Sequence, residues 1–104
     1  METNDANNQI KEKYRQILEL KVKDNFYQLS ILVDDILKLI NELMVNEQDE
    51  IRINFLFMKY SALVHTRHKE VGYVINQPRL SRTVLLEKLK VAIDQIYLDL
   101  LGLL

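Results

Sequence analysis

From Val22 to Leu43 the apolar positions fall in steps of four and three residues, at Val22, Phe26, Leu29, Val33, Ile36, Ile40 and Leu43. Steps averaging about 3.5 residues keep one side of an α-helix apolar. Ile31, Leu32, Leu37 and Leu39 widen that side beyond a coiled-coil seam, so the pattern predicts a bundle helix touching two neighbours. Upstream, Ile10, Tyr14 and Ile17 keep the same spacing one residue out of step, which predicts a short amphipathic helix starting near residue 6. Residues 1–8 are polar and are expected to fray, leaving residues 9–104 as a single domain. A turn at Lys23-Asp24-Asn25, with Asp24 as N-cap, would reset the phase. With no glycine or proline nearby, one continuous or kinked helix is the slightly favoured expectation.

The segment "NEQDE", residues 46–50, reads as the next helix start, with Asn46 as cap and acids in the first turn. That helix is expected to span residues 47–71 and to stop at Gly72 in the left-handed C′ conformation. Tyr73, Val74 and Ile75 are then strand-forming residues in a connection packed over the bundle end. Pro78 discourages helix at Gln77, Ser81 offers a cap, and Leu85, Leu89, Ile93, Ile96 and Leu100 carry a final helix to the end. The fold class is therefore all-α. It is an antiparallel bundle of three long helices, or four if residues 6–21 form a separate short helix.

Two of these helices carry apolar residues on more than one side. Over residues 47–71, Ile51, Phe55, Met58 and Ala62 make one apolar side. Ile53, Phe57, Tyr60, Val64 and Val71 make another, roughly opposite. Polar stripes separate them, Asn54, Ser61, His65 and His68 on one and Arg52, Lys59, Thr66 and Glu70 on the other. A helix apolar on opposite sides sits between two partners, and a second copy of the chain can supply one of them. The last helix adds a narrower seam of Val84, Val91 and Leu98.

Composition narrows the function classes. Charged residues make up 28% of the 104, with a net charge of −1, so no overall basic excess points to nucleic acid or a membrane surface. No cysteine is present, which removes disulfides, thiolate metal sites and thiol nucleophiles. The polar start "METNDANNQ" and the lack of an apolar run near ~20 residues make a cytoplasmic protein without a membrane partner the expectation.

Candidate chemistry concentrates between residues 65 and 82. His65 and His68 stand three apart on one helix, yet no HExxH or ExxH pattern accompanies them, and Arg67 and Lys69 beside them oppose a cation. Arg67, His68, Lys69, Arg79 and Arg82 form a candidate basic rim for an anion or nucleic acid, with Ser81 and Thr83 at the helix start. Asp34 and Asp35 are adjacent and point to different sides of a helix, so they do not pair. Ser61 and His65 lack an orienting acid, and two distant glycines make no phosphate loop. No catalytic, metal or cofactor-binding residue is assigned, and no cofactor is expected.

The leading expectation is a non-enzymatic helical-bundle interaction protein, an adaptor, assembly or regulatory component that forms homo-oligomers or binds another helical protein. Its interface residues are Ile53, Phe57, Tyr60 and Val64, with Val84, Val91 and Leu98 as the lesser surface. A second reading is a small regulator meeting nucleic acid or an acidic partner through residues 67–82. A third is an immunity-type or inhibitor bundle holding one protein target.

Overall fold

The computed structural model describes residues 2–20, 25–77 and 79–104, so the expectations resting on Val22, Asp24 and Pro78 lie outside the described residues. Among the described residues the chain forms an all-α bundle with four main helices: α1 (Glu2–Glu19), α2 (Phe26–Val45), α3 (Glu50–Thr66) and α4 (Arg82–Asp99). Beyond Thr66 the helix continues as a π-helical stretch (Arg67–Gly72) and a last short turn (Tyr73–Ile75).

Side-chain caps explain most of the boundaries. Asn25 has extended backbone and its Oδ1 accepts from the Gln28 N–H at 2.9 Å, so α2 starts afresh. The favoured continuous helix from residue 6 is therefore corrected to two helices. α1 also begins at Glu2, ahead of the expected start and inside the segment expected to fray. Ala6 and Ile10 are both buried, which extends the apolar stripe of α1 by a further turn. Asp49 caps α3, its Oδ1 accepting from the Ile51 N–H at 3.0 Å. Asn46 instead closes α2, donating from Nδ2 to the Glu42 carbonyl at 3.1 Å. Ser81 caps α4 as expected, accepting from the Val84 N–H at 3.2 Å.

The end of the third helix differs most from the sequence reading. Gly72 has φ −61°, in the right-handed region, and Tyr73 donates its backbone N–H to the His68 carbonyl five residues back. Val71 and Val74 are buried, so continuing the helix carries two further apolar side chains into the core. Tyr73, Val74 and Ile75 are thus a helical turn and not an extended connection, and only Tyr73 of the three is exposed.

α2 lies between α1 and α3, and α4 packs on α3 and its π-helical continuation. Phe26, Leu29, Val33, Ile36, Ile40 and Leu43 are all buried, as are Leu32, Leu37 and Leu39. The adjacent carboxylates serve opposite neighbours. Asp35 meets Lys13 of α1 at 3.4 Å, and Asp34 meets Arg67 at 2.9 Å. On the far side of α3 the buried Thr66 hydroxyl donates to buried Asp99 of α4, which also accepts from Gln95 at 3.2 Å. These bonds satisfy a carboxylate that would otherwise be costly to bury.

The chain after α4 turns back on the core. Gly102 has φ +91°, a region that favours glycine, and a Cβ added there would stand 2.7 Å from Cζ of Phe55. Leu100 and Leu103 on either side are buried. Arg52 and Lys59 lie over the Phe55 ring, at 5.0 and 5.2 Å from its centroid.

The molecule measures 47 × 21 × 17 Å and exposes 6670 Å². A compact monomer of this mass ordinarily exposes about 6,100 Å². The bundle is long and thin, so much of each helix remains at the surface.

The two glycines should respond oppositely to alanine. Gly102→Ala is expected to cost at least about 1 kcal/mol, because it combines positive φ with displacement of the Phe55 ring. Gly72→Ala, at a helical φ with ordinary contacts, should be neutral or stabilising by about 0.5 kcal/mol. Urea unfolding of both variants checks the contrast.

Tyr14 gives a pH test. Burial holds its hydroxyl above its ordinary pKa, with Tyr97, whose ring centroid is 6.1 Å away, and Asp94 adding to the effect. A raised pKa favours the protonated folded state, so this stability is complete below the ordinary value of 10.0 and is lost as pH rises through the folded value. Tyr14→Phe should lose less stability than the unsubstituted chain across that alkaline window, measured by denaturant titration at each pH.

Candidate functional site

The residues of α3 that face the core are Leu56, Leu63 and Thr66, with Tyr60 packed against it from the edge. At 100° per residue, Leu56 and Leu63 fall between the two apolar sides expected from the sequence. Each of those sides is therefore split, one part flanking the inward face and the other part exposed. Ile53 and Tyr60 belong to the flank toward α2 and are half-buried. Phe55 and Ala62, half-buried, belong to the flank toward α4.

The outward half of α3 is the unusual surface. From Ile51 to Thr66 the exposed residues are Ile51, Asn54, Phe57, Met58, Ser61, Val64 and His65, and none is Lys, Arg, Asp or Glu. Ile51 is 80% exposed, Met58 69%, Phe57 59% and Val64 42%. The two formal charges within this span, Arg52 and Lys59, are half-buried and turned over Phe55. Helices on a bundle surface ordinarily put charged side chains on the solvent side. Here that side carries apolar and uncharged polar groups.

Of the expected interface residues, Phe57 and Val64 stand free on this face, while Ile53 and Tyr60 reach it only at its edge. On α4, Val91 and Leu98 are exposed and Val84 is half-buried, so the second seam is reduced to two free positions. Ile51 and Met58, from the other apolar side, extend this exposed surface. Their relation to Phe57 depends on which arc of α3 the neighbours bury, which a helical wheel leaves open.

The basic rim is broken up in the structure. Arg67 is turned toward α2, where Nε lies 2.9 Å and Nη2 3.3 Å from the two Asp34 carboxylate oxygens. That carboxylate pushes the Arg67 guanidinium above its ordinary range, against a smaller opposing effect of burial. A guanidinium held in a two-point bond has its planar fork already occupied. His68, Lys69, Arg79 and Arg82 are exposed. Arg67, His68, Lys69, Gly72, Tyr73, Asn76 and Gln77 line an open cleft of about 460 Å³ beside the π-helical stretch. Across α3, His65 and Lys69 line the groove that contains Thr66, Gln95 and Asp99. Among the described residues no group of three or more His, Asp or Glu side chains is placed to hold a metal ion.

No family model matches the chain, and no curated protein or solved structure matches it. No described helix is long and apolar enough to cross a membrane.

The Asp34–Arg67 pair sits partly in solvent, so its contribution is small. Asp34→Asn and Arg67→Met should each cost no more than about 1 kcal/mol. A double-mutant cycle by urea unfolding should return a coupling of about 0.5 kcal/mol between them.

Proposed function

We propose that this chain is a non-enzymatic interaction protein of the assembly or adaptor type, and that the outward face of α3 is its contact surface. One observation carries the reading: every exposed residue from Ile51 to His65 lacks a formal charge, and Phe57, Met58, Ile51 and Val64 are among them. Contact surfaces are depleted in charged residues at their centres and enriched in aromatics and methionine. Aromatic anchors carry much of the affinity where they exist, which makes Phe57 the first residue to test. The thin shape and the excess of surface over a compact monomer of equal mass support the same reading. Self-association is its simplest form.

Commitment of Arg67 to Asp34 argues against the reading in which residues 67–82 form a nucleic-acid surface, since that pair cancels one of its charges. The net charge of −1 works in the same direction.

Light scattering across protein concentration tests the proposal. The unsubstituted chain should form a species heavier than the monomer, and Phe57→Asp should return it to monomer with helix content unchanged by circular dichroism. Phe57 is the suitable probe because it is exposed, whereas Tyr60 packs against the core and its replacement would also weaken the fold. Association that survives Phe57→Asp would move the contact to Val91 and Leu98 and overturn the proposal.

A further inference from the structure

We infer that the partner on the outward face of α3 is a second copy of the chain, lying antiparallel about a two-fold axis near the middle of the helix. The inference rests on the reading of that face as a contact surface. What carries it is the charge at the two ends of the face.

The uncharged stretch of α3 is bounded by opposite signs. Glu50 is exposed at its N-terminal end and shares the angular sector of Phe57. Lys69 is exposed at its other end and lines the grooves on both sides of the helix. Neither has an ion-pair partner among the described residues. At 1.5 Å per residue the two charges are about 28 Å apart along the helix. A face that is acidic at one end, uncharged in the middle and basic at the other complements itself when turned end for end. Parallel pairing would set Glu50 against Glu50 and Lys69 against Lys69, and would also align the two helix dipoles.

The same alignment matches the middle of the face. Placing Glu50 beside the partner's Lys69 sets Asn54 level with the partner's His65 and Met58 level with the partner's Ser61. A large side chain then meets a small one, which lets two helices approach closely, and an amide meets an imidazole able to exchange a hydrogen bond with it. The two positions nearest the axis do not obstruct this approach. Lys59 lies over the Phe55 ring, and Tyr60 packs against the core. One helix face is smaller than the ~800 Å² per partner of a standard stable interface, so the pair should exchange with monomer at micromolar concentration.

The chain contains no cysteine, so introduced cysteines report pairing without interference. Asn54→Cys and His65→Cys, both at exposed positions, are oxidised mildly alone and as a mixture, then run on a non-reducing gel. The mixture should give disulfide-linked dimer at least about tenfold above either variant alone, because only the mixed pair meets the distance limits of a disulfide. Linkage of either variant alone to the same extent would overturn the antiparallel arrangement, and so would no linkage in the mixture. As a second measurement, Glu50→Lys should weaken self-association about tenfold, and adding Lys69→Glu should restore it. If Phe57→Asp dissolves the assembly but the cysteine pattern is wrong, the contact surface stands and the arrangement falls. If the chain is monomeric at every concentration, or its association ignores Phe57→Asp, both fall.

Discussion

The rest of the bundle depends on the burial of α2. Leu29, Val33, Ile36 and Ile40 are fully shielded from water, and Leu32, Leu37, Leu39 and Leu43 nearly so. A helix apolar over so wide an arc must be covered on more than one side, and α1 and α3 supply that cover. The polar residues at the margins follow from this placement. Asp35 reaches Lys13 on one side and Asp34 reaches Arg67 on the other, so two neighbouring carboxylates fasten the central helix to two different partners.

Covering α2 uses only the inward face of α3. With α4 packed on one flank of α3 and α2 on the other, no helix among the described residues covers its outward side. That side still carries Ile51, Phe57, Met58 and Val64. Exposed apolar residues scattered singly are ordinary on monomers. What distinguishes α3 is that its exposed positions from Ile51 to His65 form one uncharged strip, while Arg52 and Lys59 stand on the opposite side of the helix, over Phe55. The Phe55 ring beneath them is met in turn by the close approach of Gly102.

The π-helical stretch shows how packing settles a helix end. Gly72 and the β-branched residues after it mark a stop when only local preferences are counted. Burial of Val71 and Val74, together with the bond from Arg67 to Asp34, outweighs those preferences and keeps the chain helical to Ile75. One extra residue in the turn shifts the helix phase, and Val71 reaches the core with no exposed surface.

The sequence by itself determined the all-helical class, the buried stripe of α2, the Ser81 cap and the divergence of Asp34 from Asp35. Each follows from spacing along one helix or from chemistry within one turn, and neither needs a neighbour to be specified. Only the tertiary structure decided which arc of α3 is inside. Apolar residues almost encircle that helix, so Leu56 and Leu63 stand out from Phe57 and Met58 only once α2 and α4 have chosen their sides. The fate of Arg67 belongs to the same class, since its carboxylate partner comes from another helix. Local spacing sets what a helix can bury, and the positions of its neighbours set what it leaves exposed.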